Sequence, residues 1–258
     1  MGLITISDAA AESLANHQAK LGLISPLNTT SECLENNLKW KDFNGLPVLP
    51  DAVALGLCRN HGDLELNGLT TISDAAARWL ADNKGDLELN GLTKLSDAAA
   101  ESLGRNGWDS EGLLHRHGTL SLNGLTSLSD AAAESLAKHF GDSSDFLSLN
   151  GITTLSDAAA QSLSKHEEDL YLDGLTSLSS AAAESLAKHK ADLYLRGLTT
   201  ISDAAAESLA KYKADLYLDG LTSLLIPPLK ALENTRDTYP SRASQNFRML
   251  LRRASKNT

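Results

Sequence analysis

An α/β solenoid, one short strand and one helix per turn, is the fold this sequence predicts, and three observations predict it. A single unit, Asp-Leu-x-Leu-x-Gly-Leu-Thr-x-Leu-Ser-Asp-Ala-Ala-Ala-Glu-Ser-Leu-Ala-Lys-His, recurs along the chain, with its glycine at Gly45, Gly68, Gly91, Gly124, Gly151, Gly174, Gly197 and Gly220. The spacings are 23, 23, 33, 27, 23, 23 and 23 residues, a period characteristic of stacked arrays. Within each copy the apolar pattern changes once, from alternation to the spacing of a helix face. Finally, a three-residue strand and a short alanine-rich helix cannot bury their apolar sides alone, whereas stacked copies form a continuous core.

The strand comes first in each unit. In Asp63-Leu64-Glu65-Leu66-Asn67 the leucines alternate with polar residues, as in a strand with one face buried. Asn67-Gly68 then reads as a bend, because both residue types tolerate positive φ. Ser73 is placed to cap a helix, and Asp74 favours the positive end of its dipole. The helix expected from Asp74 to Lys84 carries Ile72, Ala76 and Leu80 at spacings of four, with Ala77 and Ala81 beside them. Lys and His close most copies, as at Lys138-His139 and Lys188-His189, where they match the negative end. A strand joined to its equivalent through a helix must lie parallel to it, at about 4.8 Å per copy.

Composition bounds the rest. The 258 residues are 42 % hydrophobic and 22 % charged, enough for one or two domains. A formal net charge of −10 argues against nucleic-acid or anionic-membrane binding through the repeats. Cys33 and Cys58 are the two cysteines, too few for a disulfide framework or a four-cysteine zinc site, which fits a reducing compartment. The sequence has neither an apolar run of about 18 residues nor a basic, then apolar, signal at Met1-Gly2-Leu3-Ile4. The expectation is therefore a cytoplasmic chain without a transmembrane segment.

The unit Leu64-Glu65-Leu66-Asn67-Gly68-Leu69, with copies at Leu87, Leu120, Leu147, Leu170, Leu193 and Leu216, resembles the leucine-rich repeat of the bacterial type, with repeats of about 23 residues. The likeness covers roughly residues 2–224. It implies a right-handed superhelix with parallel strands on the concave face and helices on the convex face. One departure stands out: Leu69, Leu92, Leu125, Ile152, Leu175, Leu198 and Leu221 occupy the place where that repeat carries Asn or Cys. The ladder of asparagines that ties the turns of typical members is therefore expected to be missing.

With leucines two and four places before each glycine pointing inward, the residues one, three and five places before it point outward. The middle column reads Glu65, Glu88, Ser121, Ser148, Tyr171, Tyr194, Tyr217. The outermost reads Asp63, Asp86, Thr119, Phe146, Asp169, Asp192, Asp215, and the innermost Asn67, Asn90, Asn123, Asn150, Asp173, Arg196, Asp219. The face is thus acidic at both ends and neutral in the middle. Tyr171, Tyr194 and Tyr217 are expected to stack in register, flanked by Asp169, Asp192 and Asp215, with Arg196 between Asp173 and Asp219. Such a patch suits a partner: tyrosine offers rigid amphipathic area, and carboxylates steer a basic protein. The competing reading is cross-strand stabilisation of the sheet and a surface ion pair of little worth. Calcium would need six to eight oxygens and finds no Gly-Asp-rich loop, so the aspartates are read as turn formers, with no metal or cofactor.

His17, His139, His166 and His189 share one repeat position, held by Asn83 and Tyr212 elsewhere, which reads as a polar helix terminus. An insertion near 105–117 carries Trp108, a candidate second contact, since insertions in solenoids fall on one face. Four further residues are inserted near 140–146, and 25–45 is irregular. Residues 225–258 differ in character: seven basic and two acidic side chains give +5, after Pro227-Pro228, and read as a basic C-terminal cap or tail. At the other end a repeat glycine follows Met1 directly, so end-to-end association through an uncapped layer is expected.

None of the common catalytic motifs occurs: no Gly-x-Ser-x-Gly elbow, phosphate loop or His-Glu-x-x-His. The expected function is a non-enzymatic scaffold that binds protein through its acidic, tyrosine-bearing strand face. The alternatives are a repeat array with no dedicated ligand, or the non-catalytic part of a larger effector or enzyme.

Overall fold

The computed structural model describes residues 47–57, 62–83, 85–105, 118–139, 145–221 and 223–224. Seven helices lie in this range: α1 (Asp51–Leu57), α2 (Asp74–Leu80), α3 (Asp97–Gly104), α4 (Asp130–Leu136), α5 (Asp157–Leu163), α6 (Ser180–Leu186) and α7 (Asp203–Leu209). Between them run the strands β1 (Leu64–Glu65), β2 (Leu87–Glu88), β3 (Leu120–Ser121), β4 (Phe146–Ser148), β5 (Asp169–Tyr171), β6 (Leu193–Tyr194), β7 (Thr200–Ile201), β8 (Leu216–Tyr217) and β9 (Ser223–Leu224).

The strands β1, β2, β3, β4, β5, β6 and β8 form one parallel sheet in that order. Its register is that of the repeat: Leu64 pairs with Leu87, Leu147 with Leu170, Leu170 with Leu193, and Leu193 with Leu216. The fold is therefore an α/β solenoid, as the periodicity predicts. A second line of parallel pairing, unforeseen in the sequence, runs before the helices, where β7 pairs with β9 and Val48 bridges to Thr71.

One repeat shows how the core is made. In the copy around Gly174, Leu170, Leu172, Leu175, Ala182, Ala183 and Leu186 are all 0 % exposed. The strand leucines alternate inward, the leucine after the glycine closes the bend, and two alanines with one leucine form the buried helix stripe. Alanine leaves no bulk between helix and sheet, so each described helix from α1 to α7 packs on the next. Across the longer spacings that separate them in sequence, β2 pairs with β3 and β3 with β4 in the register of the repeat.

Three expectations are corrected. The first concerns helix length: the helix expected over Asp74 to Lys84 ends at Leu80. Ser73 caps it as foreseen, accepting from the Ala76 N–H, but beyond Leu80 the bonding tightens, with Asn83 N–H donating to Leu80 O at 3.1 Å. The Asn83 side chain turns inward and donates to Gly85 O at 2.9 Å, which bends the chain toward the next strand.

The second concerns glycine. None of the repeat glycines from Gly91 to Gly220 adopts a positive φ; close approach is what requires them. A Cβ on Gly174 would lie 2.0 Å from Asn150 O, and one on Gly197 2.0 Å from Asp173 O, both backbone atoms of the preceding turn.

The third is the ladder of amides, which is present after all, displaced to the residue just before the glycine. Asn67 Oδ1 accepts from Asn90 N–H at 3.0 Å, Asn90 Oδ1 from Asn123 N–H at 3.0 Å, and Asn123 Oδ1 from Asn150 N–H at 2.9 Å. Asn150 Oδ1 and Asp173 Oδ1 continue it, each at 2.8 Å, to Asp173 N–H and Arg196 N–H. From Asn67 to Asp173 the innermost column thus satisfies backbone donors between turns, whereas Arg196 and Asp219 face solvent. A parallel device joins the helix starts: the capping hydroxyls of Ser73, Ser96, Ser129, Ser156 and Ser179 donate to Asp51, Asp74, Asp97, Asp130 and Asp157 of the preceding turn.

Candidate functional site

The strand face is built by register alone. Because β4, β5, β6 and β8 pair without slippage, Ser148, Tyr171, Tyr194 and Tyr217 fall in one column and Phe146 sits level with Asp169. The tyrosine rings stack with centroids 3.9 Å apart between Tyr171 and Tyr194 and 4.2 Å between Tyr194 and Tyr217, tilted by 5° and 2°. Phe146 extends the run from the preceding strand, its centroid 4.7 Å from that of Tyr171 at 51°. Tyr194, held between its neighbours, is only 9 % exposed, while Tyr171 and Tyr217 remain half-buried. Burial and hydrogen bonding to the Tyr171 and Tyr217 hydroxyls push the Tyr194 phenol above its ordinary range.

The flanking charges have two origins. Asp169 Oδ1 accepts from Asp192 N–H at 2.9 Å and Asp192 Oδ1 from Asp215 N–H at 3.1 Å, just as Asp63 serves Asp86 at 3.1 Å and Asp86 serves Thr119 at 2.8 Å. The outermost aspartates are therefore inter-turn bonds, not the helix-exit turns that the sequence suggested, and their alignment beside the tyrosines follows from that role. On the other flank Arg196 reaches Asp173 at 3.3 Å and Asp219 at 3.6 Å, as foreseen. Its guanidinium carbon lies 4.8 Å from the Tyr194 centroid and 5.1 Å from that of Tyr217. Since those rings are parallel, a cation nearly equidistant from both sits at their edges and not over a face, where the attraction would be strong. The pair is half-exposed and contributes within about 1 kcal/mol.

The N-terminal half of the face is different. Ser121 and Ser148 are buried, not displayed, and donate to Asn90 Oδ1 and Asn123 Oδ1 at 2.7 Å each. Glu88 accepts from Asn67 Nδ2 at 2.9 Å. The structure thus brings together eight of the sequence-selected residues, Tyr171, Tyr194, Tyr217, Asp169, Asp192, Asp215, Asp173 and Asp219. Trp108 lies outside the described residues, as do the uncapped first turn and the basic segment 225–258.

Behind this face lies a column that the sequence reads as a row of polar helix termini. His139, His166 and His189 are 3 %, 1 % and 2 % exposed, with rings stacked at 6.4 Å from one to the next. Tyr212 continues the column 6.5 Å beyond His189 and donates its hydroxyl to Ala191 O. His139 Nε2 lies 3.2 Å from Gly118 O, and His166 Nε2 3.4 Å from Glu168 Oε2. Burial, with a smaller contribution from the neighbouring rings, lowers His166 to about 3; burial also lowers His189 to about 4. His166 and His189 are therefore not cations matched to a helix end. Among the described residues no group of three or more His, Cys, Asp or Glu side chains is placed to hold a metal ion. The signal available in the sequence was the set of substituents, since His, Asn and Tyr share a planar polar group able to reach a buried backbone carbonyl.

No helix among the described residues is long and apolar enough to cross a membrane. Compared with protein-family models and with curated protein sequences, the chain matches none.

Proposed function

We propose that this chain is a non-enzymatic scaffold of the leucine-rich-repeat type that binds a basic protein segment along the aromatic, carboxylate-lined half of its strand face. The observation that carries this reading is the run Tyr171, Tyr194, Tyr217, which occupies three neighbouring strands in register, is extended by Phe146 packed against Tyr171 from the outermost column, and is bordered by Asp169, Asp192 and Asp215. A rigid aromatic row loses little side-chain entropy on binding, and flanking carboxylates attract cationic chains over a Debye length of about 10 Å. The leucine-rich-repeat assignment is supported by the Leu-x-Leu-x-Gly-Leu strand and by the inter-turn amide ladder one residue before the glycine.

The test is a titration with a labelled Lys/Arg-rich peptide and an acidic peptide as control, read by fluorescence anisotropy. Binding of the basic peptide, weakened by salt and lost in Tyr171→Ala/Tyr194→Ala/Tyr217→Ala with circular dichroism unchanged, supports the scaffold. Equal binding of both peptides, or none, overturns it. A second reading has its own support: the stack satisfies itself, each ring pair adding about 0.5–1.5 kcal/mol beyond area burial, which suits an array with no dedicated ligand. On that reading the triple variant loses stability and nothing else.

A further inference from the structure

The charge of the aromatic half of the strand face has its opposite within the same chain. Over β5, β6 and β8 the inner and outer columns carry Asp169, Asp173, Asp192, Asp215 and Asp219 against Arg196. Counting Glu167, Glu168, Lys190 and Lys213 in the approaches to these strands leaves the same excess of four negative charges. The backbone N–H bonds accepted by Asp169 and Asp173 leave those carboxylates their charge. On the helical side acid and base offset one another, with Lys138 3.4 Å from Glu134 and Lys188 3.8 Å from Glu184.

Residues 225–258 lie outside the described residues, and their sequence leaves the repeat at once. Leu225 and Ile226 take the places of the capping serine and the aspartate after it, and Pro227-Pro228 those of the first two alanines. Proline has no N–H to give a capping hydroxyl, whereas at the equivalent place the Ala182 N–H donates to Ser179 Oγ at 2.9 Å. Further on, Phe247, Leu250, Leu251 and Ala254 recur at the spacing of a helix face, with Arg248, Arg252 and Arg253 between them. We propose that this basic stretch, through residues 245–256, docks on the aromatic, carboxylate-lined half of its own chain's strand face, so that a basic partner must displace it. Such docking rests on the reading of that face as a site for basic chains and names the chain's own segment as its first occupant.

Dimensions and charge agree. From Phe247 to Ala254 the apolar positions cover about 10 Å at helical rise, and the row from Phe146 to Tyr217 spans three strand spacings, about 14 Å. Residues 225–244 reach up to about 66 Å when extended, so the tether does not limit the contact. Asp63, Glu65, Asp86 and Glu88 make the first described turns acidic as well, but β2 stands five strand spacings from β8, about 24 Å, and carries no aromatic residue. A cover for the last leucine layer needs apolar area and a polar outer side of either sign, whereas the strand face calls for the positive sign this segment has. Tethering holds the segment at an effective concentration of about 1 mM. With a dissociation constant about tenfold lower, it occupies the face about ten to one and weakens binding of an added basic peptide about tenfold.

The test compares the full chain with its Arg248→Gln/Arg252→Gln/Arg253→Gln variant. Without any peptide, the backbone amide signals of Tyr171, Tyr194 and Tyr217 differ between the two chains, equally in dilute and concentrated samples. The variant then binds a labelled Lys/Arg-rich peptide about tenfold more tightly than the parent, while Arg248→Lys/Arg252→Lys/Arg253→Lys, which keeps the charge, behaves as the parent. Where circular dichroism shows the glutamine variant misfolded, Asp173→Asn/Asp219→Asn takes its place: it copies Asn150 at the same repeat position and shifts the amide signals of residues 245–256. Tyrosine signals identical in parent and variant overturn the docking. So do differences confined to the last turn, on Leu209, Leu216 and Leu218, which mark an end cap, and differences that fade on dilution, which mark a second copy. Peptide binding separates the two proposals. Tyrosine differences with no peptide bound to either chain sink the scaffold alone, while equal binding to both chains with no tyrosine differences sinks the docking alone.

Discussion

Asn123→Ala is the sharpest probe of how the turns are tied. Asn123 Oδ1 accepts from Asn150 N–H at 2.9 Å and from the Ser148 hydroxyl at 2.7 Å, and its Nδ2 donates to Ser121 Oγ at 2.9 Å. Ser148 and Ser121 are buried, so water does not replace the lost partner freely. Each bond contributes about 1 kcal/mol net, and leaving the Asn150 N–H without an acceptor adds about 1 kcal/mol more, giving a loss of roughly 4 kcal/mol. Asn123→Asp keeps the acceptor and loses only the donor to Ser121, and Asp173 already fills this column two turns on, bonding Arg196 N–H at 2.8 Å. Its cost is therefore about 1 kcal/mol. Urea unfolding followed by circular dichroism reads both as midpoint shifts at constant m. An alanine variant within about 0.5 kcal/mol of the parent, or one equal to the aspartate variant, refutes the ladder as a structural tie.

Other consequences are simpler. Gly174→Ala drives a Cβ to within 2.0 Å of the Asn150 carbonyl oxygen and costs about 3 kcal/mol, visible in the same urea titration. Ser156→Ala removes both the cap on the Ala159 N–H, at 2.9 Å, and the tie to Asp130, and lowers stability by about 1–2 kcal/mol. Arg196→Ala releases half-exposed ion pairs and changes the unfolding midpoint by less than about 1 kcal/mol; a larger loss would show that the edge contact with Tyr194 and Tyr217 matters.

Spacing carried most of the architecture, because a fixed period places chemically equivalent residues one above another and leaves register little choice. The leucines, the alanine stripe and the capping serines each follow a local rule, and all agree. The tyrosine column followed from the same register. What was not legible depends on contacts between turns. A glycine looks alike whether it serves a bend or a close approach, and the approach of Asn150 O to Gly174 exists only once turns are stacked. Asn123 reads as a bend residue until the next turn supplies an N–H, and Asp169 as a turn former until Asp192 does. The histidines misled for a related reason: seven-residue helices end earlier than their apolar pattern implies, which turns a residue read as a polar helix terminus back into the core.

We propose that the protein meets its partner on the strand face, along the row from Phe146 to Tyr217. Chemical-shift mapping of the full chain during titration with a Lys/Arg-rich peptide tests it most directly. Shifts concentrated on Tyr171, Tyr194, Tyr217 and the neighbouring Asp169, Asp192 and Asp215 are the predicted result. Shifts confined to the helical side, on residues such as Glu134, Gln161 and Glu184, would contradict it.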